Sequence, residues 1–349
     1  MDFMQHQKMN MGMTFLKSVH YNKYGGKFMR SERKIDMAYA EASIAAIKNT
    51  VWDGRALLAL SGGVDSTVCA ALMSRAIGQN LICVFVDTGL MRLNEGNEVE
   101  KLFHDNFDSQ FIRINAEDRF LGRLAGITDP ETKRKIIGEE FIRIFEEEAN
   151  KLGTVDFLVQ GTLYPDVAES GDGTHALVKS HHNVGGLPDV IDFKEIIEPL
   201  RELYKDEVRT LGTVLGMPDS LVHRQPFPGP GLALRVIGEI TKPKLDTLRH
   251  ADHIFREEIA LAGFDTKIWQ YFAVITDTKS VGMQNNARNY DNVIALRAVH
   301  SRDATTAAIA QLPYDLLIRV VERITTEVPN ATRIVYDVTP KPPATIEWE

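Results

Sequence analysis

The sequence has little cysteine and no long apolar run, and both shortages restrict the kind of protein it encodes. Only Cys69 and Cys83 occur among its 349 residues, and both lie inside apolar stretches. They argue against a disulfide framework and a cysteine-based zinc site, and they fit a reducing cytoplasm. No hydrophobic run approaches the roughly 18 to 20 residues that span a bilayer, and the N-terminus lacks the apolar core of a secretory signal. We therefore expect a cytoplasmic protein with no membrane partner.

Positive charge is also in short supply. Lysine and arginine number 40 against 48 aspartates and glutamates, which gives a formal net charge of −8. A large nucleic-acid footprint needs a concentrated basic face, so we expect no nucleic-acid partner. The length of 349 residues exceeds one comfortable hydrophobic core, and two domains are the default expectation.

The first 30 residues differ from the rest of the chain. They are rich in Met, Lys and Asn, contain Gly25 and Gly26, and show no sustained hydrophobic period. This composition is typical of a flexible extension or a loosely docked arm. A targeting or membrane-surface role is the alternative, because basic residues dominate there.

Short apolar segments alternate with amphipathic ones after residue 30. Helical spacing covers Ile35 to Lys48 and Thr67 to Ile77. This alternation predicts an α/β fold built on a doubly wound parallel sheet, with ligands at the carboxyl ends of its strands. The predicted strands are Arg55 to Leu60, Leu81 to Val86, Phe111 to Ile114, and Phe157 to Gln160.

A stretch rich in proline and glycine divides the remainder. The pattern from Glu198 to Gly212 predicts a helix, and residues 225–231 then contain too much Pro and Gly for regular structure. We therefore predict one domain over residues 31–225 and a smaller α+β domain over 226–349. The second domain's predicted helices and strands are Leu245 to Ala262, Tyr271 to Ile275, Val293 to Val299, Tyr314 to Val328, and Arg333 to Val338.

The string Ser61-Gly-Gly-Val-Asp-Ser66 lies between a predicted strand and a predicted helix. Glycines let the backbone approach a phosphate closely, and the N–H groups at a helix start favour an anion. Ser61 and Ser66 add hydroxyl donors, while the carboxylate of Asp65 suggests magnesium coordination. The string is not a Walker A loop, because it lacks Gly-Lys-Ser/Thr. A plain strand-to-helix turn with incidental serines is the alternative.

The string resembles the PP-loop of N-type ATP pyrophosphatases, a group of the adenine nucleotide alpha hydrolase type that cleaves ATP between its α- and β-phosphates. From Asp53 to Glu349 the chain further resembles the ATP-pyrophosphatase and dimerisation domains of the GMP synthase family. The stretches that carry this resemblance are Val86-Asp-Thr-Gly-Leu90, Ala116-Glu-Asp-Arg-Phe-Leu121, Asp129-Pro-Glu-Thr-Lys-Arg-Lys-Ile-Ile-Gly138, Gln160-Gly-Thr-Leu-Tyr-Pro-Asp166, Lys179-Ser-His-His-Asn-Val-Gly-Gly186, Gln225-Pro-Phe-Pro-Gly-Pro-Gly231, and Lys341-Pro-Pro-Ala-Thr-Ile-Glu-Trp-Glu349.

The resemblance implies an ATP site with magnesium at Asp65. It also implies a mobile lid that contains Lys133, Arg134 and Lys135, and catalytic roles for Asp65, Lys133, Lys135 and Lys179. The adjacent His181 and His182 suggest a metal site less well, because neighbouring side chains of an extended segment face opposite ways. The implied ATP and pyrophosphate contacts are Ser61, Gly62, Gly63, Val64, Asp65, Ser66, Thr67, Val86, Asp87, Gly161, Thr162 and Asp166.

The resemblance places the second substrate, xanthosine monophosphate (XMP), on the C-terminal domain. Pro342 and Pro343 are expected to stiffen the tail before Glu347. The chain departs from the family at Asn285-Asn-Ala-Arg288, where the family usually has an acidic residue, although Arg288 is kept. The implied XMP contacts are Arg235, Gln270, Arg333, Lys341, Ile346 and Glu347.

The activity implied by the resemblance is the synthesis of GMP from XMP, ATP and ammonia through an adenylyl-XMP intermediate, with release of AMP and pyrophosphate. Magnesium is expected with ATP, and no organic cofactor is expected. Neither cysteine has the context of a glutaminase nucleophile, so a separate class I glutamine amidotransferase subunit or free ammonia is expected to supply nitrogen. A homodimer through the C-terminal domain is also implied. NAD synthetase or a non-catalytic nucleotide-binding subunit is the alternative.

Overall fold

The computed structural model describes residues 33–164, 193–284, 286–302 and 304–349. Residues Ile35–Glu349 belong to one unit. The predicted extension over residues 1–30 lies outside the described residues, so its prediction is untested. No helix in the described part of the chain combines the length and apolarity that a membrane crossing requires.

The first sheet has five strands in the order β3-β2-β1-β4-β5, and every neighbouring pair is parallel. The central strands are buried along almost their whole length, as expected for a parallel sheet covered on both faces. The prediction of a parallel α/β sheet is confirmed, and β5 is a strand that the sequence pattern missed. The strands are β1 Ala56–Ala59, β2 Leu81–Asp87, β3 Gln110–Asn115, β4 Phe157–Val159 and β5 Glu195–Ile197.

Seven helices accompany this sheet within the described residues. The side chain of Asp36 caps the first helix by accepting the N–H of Tyr39, and Asp129 caps the fifth in the same way. The predicted helix from Glu198 is wrong in its first seven residues, because the carboxylate of Glu207 accepts the N–H of Tyr204 and starts the helix there. The helices are α1 Met37–Val51, α2 Val64–Ile77, α3 Glu95–Asn106, α4 Glu117–Leu124, α5 Pro130–Lys151, α6 Lys205–Val214 and α7 Asp219–Val222.

The second sheet is smaller and mixed, and it confirms the predicted α+β architecture. A long antiparallel hairpin pairs β6 with β7, and β7 also pairs with β8 antiparallel and with β9 in parallel. Helix α8 packs on β6, and helix α9 packs on α8. The hairpin is longer than its apolar pattern predicted, because its outer half is exposed. The bounds are α8 Lys242–Leu261, β6 Gln270–Gln284, β7 Ala287–His300, β8 Ala308–Ile309, α9 Tyr314–Glu327 and β9 Ile334–Tyr336.

One hydrophobic cluster joins the two sheets. It contains Val84 and Val86 from β2 together with Phe255 from α8 and Ile275 from β6. A second cluster covers the opposite face of the first sheet beneath α1, α2 and α6. The predicted domain boundary at residue 225 stays a prediction, because the sheets are separate while their apolar cores are continuous.

At Gly231 the segment that connects the two sheets packs directly against Leu90, in the loop after β2. Its φ is +65°, and a Cβ atom there would lie 2.3 Å from the carbonyl oxygen of Leu90. The N–H of Leu232 donates to the same oxygen at 2.7 Å. Only glycine combines this backbone conformation with such close packing, so the position fixes how the connecting segment passes the loop after β2.

We expect Gly231→Ala to destabilise the protein more than the control Gly216→Ala. Gly216 has a φ of +73°, and a Cβ atom there would meet no other atom within 4 Å, so its substitution costs only the backbone term, roughly 1–2 kcal/mol. Gly231→Ala adds overpacking worth roughly 1–3 kcal/mol. Urea denaturation of both variants measures the difference, and equal losses would contradict the packing argument.

Candidate active site

The PP-loop lies where the strand order of the first sheet reverses direction. Strands β1 and β4 are neighbours. Strand β2, which follows β1 in the chain, lies on one side of this pair, and β5, which follows β4, lies on the other. Ligands of open α/β sheets bind in the crevice outside the carboxyl ends of such strands. The loop after β1 begins at Ser61, and the loop after β4 contains Gly161, whose Cβ position would lie 3.6 Å from Asp65 and Ser66. The two predicted ATP loops are therefore in contact.

Internal hydrogen bonds hold the PP-loop in shape. The Ser61 and Ser66 hydroxyl oxygens lie 3.0 Å apart, and the N–H of Gly63 donates to the Ser61 hydroxyl at 3.3 Å. Thr67 donates its hydroxyl to the carbonyl oxygen of Gly63 at 2.7 Å. Helix α2 starts at Val64 with no side-chain cap on Gly63. Among the described residues, no N-cap side chain thus occupies the first N–H groups of α2, and such groups suit an anion at the loop.

Asp65 is paired with a lysine that the sequence did not indicate. The Nζ atom of Lys205, the first residue of α6, lies 2.8 and 2.6 Å from the two carboxylate oxygens of Asp65. Both side chains are partly exposed, so the pair is open to exchange with a ligand. The sequence offered only a lysine within a predicted helix, and nothing in its spacing pointed to the PP-loop.

The other predicted ATP contacts lie at the same edge of the sheet. Val86 is buried at the end of β2. Asp87 follows it, accepting the N–H of Gly89 at 3.1 Å and pairing with Arg113 at 2.7 Å. Hydrogen bonds to Asp87 and Glu100 raise the pKa of Arg113. The Asp87 carboxylate is therefore already engaged by Gly89 and Arg113.

The loop after β4 supplies a buried hydroxyl. Thr162 donates it to the carboxylate of Glu198 at 2.5 Å, so the hydroxyl is held at the edge of the crevice. Asp166, Lys179, His181 and His182 fall outside the described residues, and their predicted roles are untested.

The donor set around Asp65 fits magnesium carried by a nucleotide better than a resident metal. Within the described ranges, no three His, Cys, Asp or Glu side chains are arranged to hold an ion. Magnesium commonly binds through one or two carboxylates together with substrate phosphates and water. One partly exposed carboxylate at an anion-binding loop matches that pattern.

Three of the predicted XMP contacts form one buried cluster. Arg235 donates to both carboxylate oxygens of Glu347, from Nε at 3.1 Å and from Nη2 at 2.9 Å. Gln270 donates to the same carboxylate at 3.0 Å. Burial alone would lower the pKa of Arg235, but the charge and hydrogen bonds of Glu347 outweigh burial and raise it. The guanidinium also stacks on Phe272, 4.0 Å from the ring centre.

The other three have partners of their own, and of these Ile346 adjoins the cluster through Glu347 and Phe272. Ile346 packs into a small apolar cluster beneath the tail. The ammonium group of Lys341 donates a hydrogen bond to the carbonyl oxygen of Ala304 at 2.8 Å. Arg333 is exposed and donates to the hydroxyl of Ser280.

Arg297 is the tail's main anchor, and sequence reasoning missed it. Its side chain is 0% exposed. It donates to the backbone carbonyl oxygens of Thr339, Thr345 and Ile346 at 2.9, 2.8 and 2.7 Å, and it pairs with Asp337 at 2.6 Å. An arginine within a predicted apolar strand was the available signal. Arg297 therefore holds the tail residues on both sides of Pro342 and Pro343 against β7.

The cations expected in a lid lie on the first turns of α5. Lys133 is fully buried and donates to the carbonyl oxygen of Val236 at 2.8 Å and to the Glu349 carboxylate. Burial lowers the pKa of Lys133, and the bond to Glu349 opposes that shift. Arg134 pairs with Glu131 in the same turn. The structure thus ties Lys133 to the tail and not to a PP-loop contact.

Lys135 is 77% exposed on the outer side of α5, with Glu139 4.0 Å away. Its predicted catalytic role, like that of Lys133, stays a prediction. At the family departure, Asn285 lies outside the described residues, while Arg288 is exposed on β7. The departure therefore maps to the tip of the β6–β7 hairpin.

We expect Arg297→Met to destabilise the protein by about 3–5 kcal/mol, because it removes the charged partner of the partly buried Asp337 carboxylate and the donor to three carbonyl oxygens. Arg143→Met is the control, since the Arg143 side chain is 53% exposed. The control is expected to change stability by less than about 0.5 kcal/mol. Urea denaturation measures both, and a similar loss in the two variants would contradict the anchoring role.

Comparison with known proteins agrees with the sequence resemblance. The model of the family described as GMP synthase C terminal domain matches residues 257–348. GMP synthase [glutamine-hydrolyzing] from Finegoldia magna is 63% identical over 89% of this chain and 61% of its own length. The Clostridium perfringens protein of the same name is 56% identical over 97% of this chain and 68% of its own length.

Among solved structures, NMN synthetase from Francisella tularensis matches with a TM-score of 0.41 and 17% identity. The match covers 56% of this chain and 76% of the other. The chain spans about two thirds of the length of the curated relatives it matches, from 61% to 68%. At 56–63% identity across nearly its whole length, the chain belongs to the GMP synthase family.

Proposed function

We propose that this chain is the synthetase part of a GMP synthase, which makes GMP from XMP, ATP and ammonia and releases AMP and pyrophosphate. The observation that carries the proposal is the PP-loop at the sheet's reversal point in a chain of this family. The loop offers an anion site through its N–H groups, and Asp65 beside it offers a carboxylate for the metal that accompanies ATP. No observation favours NAD synthesis or a non-catalytic role.

The first step is transfer of the adenylyl group. The C2 oxygen of XMP attacks the α-phosphorus of ATP, and the bond to the bridging oxygen of the β-phosphate breaks. Ser61, Ser66 and the start of α2 would hold the departing pyrophosphate. Magnesium held by Asp65 would supply charge neutralisation on the phosphates. Positioning and charge stabilisation are sufficient for this chemistry, so no covalent nucleophile is assigned.

Lys205 supports this arrangement as a second cation at the loop. Its ammonium group neutralises Asp65 when no ligand is present. A metal at Asp65 would displace that ammonium group, and a pyrophosphate bound in the same loop would offer it an anionic partner. We infer that Lys205 exchanges Asp65 for a phosphate oxygen during binding.

The second step is attack of ammonia on C2 of the adenylylated base, with AMP as the leaving group. We propose the cluster of Arg235, Gln270 and Glu347 as the centre of the XMP site, with Lys341, Ile346 and Arg333 as further contacts. We add Arg92 to this site, because it contacts the same Phe227 ring as Arg235. Its Nε and Nη1 atoms are buried without a hydrogen-bond partner among the described residues. Buried, unsatisfied donors of this kind suit an anionic ligand such as the 5′-phosphate.

A partner subunit with glutaminase activity is the proposed source of ammonia, since the relatives are described as glutamine-hydrolyzing and both Cys69 and Cys83 are buried. We further propose a homodimer through the second sheet. Its hairpin exposes Val281, Met283 and Tyr290, which a partner could cover. Cys69 and Cys83 are buried and unpaired, in accord with a cytoplasmic location.

The purified chain with ATP, magnesium and XMP is expected to form GMP and AMP when ammonium is added and to form none when glutamine is added. Chromatography of the nucleotides measures both products. Formation of GMP from ammonium alone supports the synthetase assignment together with a missing glutaminase. Failure to form AMP or GMP with ammonium, from protein shown to be folded, would contradict the proposal.

Asp65→Asn is expected to lower the rate of GMP formation at least about 100-fold, because it removes the carboxylate proposed for magnesium. Binding of XMP, measured by calorimetry, should be unchanged. The matched control is Asp105→Asn on the surface of α3, whose side chain is 56% exposed. An Asp65→Asn variant with the activity of the control would remove Asp65 from the mechanism.

A further inference from the structure

The segment that connects the two sheets also contacts the PP-loop. Arg224 precedes the Pro-Gly-rich residues 225–231, and its Nη1 atom donates to the backbone carbonyl oxygen of Gly62 at 2.8 Å. Its Nη2 atom pairs with the carboxylate of Glu95. The side chains are only 17% exposed for Arg224 and 3% for Glu95. Because the pair is shielded from water, removal of either partner leaves a poorly solvated charge.

Glu95 is itself held in place. Its second carboxylate oxygen accepts the N–H of Arg92 at 2.9 Å, and it occupies the first residue of α3, where the helix dipole favours negative charge. Arg224 is therefore anchored to a helix end, with one guanidinium nitrogen left to bind Gly62. The contact with the PP-loop has a fixed support.

The carbonyl oxygen of Gly62 determines where the next N–H group points. A trans peptide is planar, so its C=O and N–H bonds point in opposite directions. With the oxygen held by Arg224, the N–H of Gly63 points to the opposite side, where it donates to the Ser61 hydroxyl at 3.3 Å. Gly62 has a φ of +74°, and glycine on both sides of the peptide gives it little steric resistance to rotation.

We propose that Arg224 is a positioning residue that fixes the Gly62–Gly63 peptide, so that its carbonyl oxygen is turned away from the anion of the PP-loop and its N–H orients the Ser61 hydroxyl, which is left to donate to that anion. The identity of that anion as the pyrophosphate of ATP rests on the proposed function. A rotated peptide would turn a partial negative charge toward the phosphates and would repel them. Arg224 thus acts through the backbone and makes no contact with the substrate.

Calorimetry of magnesium pyrophosphate binding to the full chain tests this role directly. Arg224→Gln is expected to weaken binding about 10-fold or more, whereas the surface control Arg143→Gln should bind like the wild type. XMP binding to Arg224→Gln should change less than about threefold, because the contacts of Glu347 are retained. Pyrophosphate binding at wild-type strength, or equal losses for pyrophosphate and XMP, would overturn the proposal.

If Arg224→Gln does not fold, the variants Arg224→Lys and Glu95→Gln test the same proposal. A lysine can reach Gly62 or Glu95 but cannot make the forked contact with both, so a smaller loss of pyrophosphate affinity, about three- to tenfold, is expected. Glu95→Gln should give a loss in the same range, because it weakens the support of Arg224. Wild-type affinity in both folded variants would overturn the proposal.

Kinetics separate this inference from the proposed function. If the wild type forms GMP, Arg224→Gln should raise the KM for ATP about 10-fold or more and leave the KM for XMP nearly unchanged. An unchanged KM for ATP in an active variant would overturn the positioning role alone. If the wild type forms no GMP but binds magnesium pyrophosphate, weaker binding by Arg224→Gln supports the positioning role while the proposed function fails.

Discussion

The contact between Gly231 and Leu90 is the constraint on which the arrangement of both candidate sites depends. It leaves no space for a side chain at Gly231, so the end of the connecting segment, residues 224–231, lies directly against the loop that follows β2. One end of this segment is bound to the PP-loop through Arg224. Its middle residue, Phe227, lies between the guanidinium groups of Arg92 and Arg235. Residues 224–231 therefore contact both the PP-loop and the cluster of Arg235, Gln270 and Glu347. Neither site can shift far without moving this segment.

The sequence predicted the parts of the structure that depend on local pattern. The apolar runs at β1 and β2 and the glycine string after them indicated the parallel sheet and the loop at its edge, because both have a period or motif within a few residues. The helix expected from Glu198 failed in its first turns, since Glu207 caps the N–H of Tyr204 and no apolar period marks that position. The outer part of the β6–β7 hairpin was missed for a related reason: exposed strands carry no apolar signal.

Long-range polar contacts were beyond the sequence for a physical reason. Lys205 meets Asp65, and Arg224 meets Gly62, across 140 and 162 residues. Nothing in the spacing of one sequence reports such a separation. Lys133 is a further case, because nothing in the sequence indicated that this lysine is buried against Val236 and the C-terminal Glu349. The residue types of the candidate site were thus predictable, but their pairing and their supports were not.

Ligand binding at both candidate sites is best understood as an exchange of ion pairs. Asp65 is matched by Lys205, and Glu347 by Arg235, so the charges needed for binding are already neutralised within the protein. An anion must compete with a carboxylate for each cation, which reduces the net gain in binding free energy. In return, the cations are held in place before the ligand arrives, so little conformational entropy is lost on binding. The partly exposed pair at Asp65 exchanges at lower cost than the buried pair at Arg235, because its charges keep more of their contact with water.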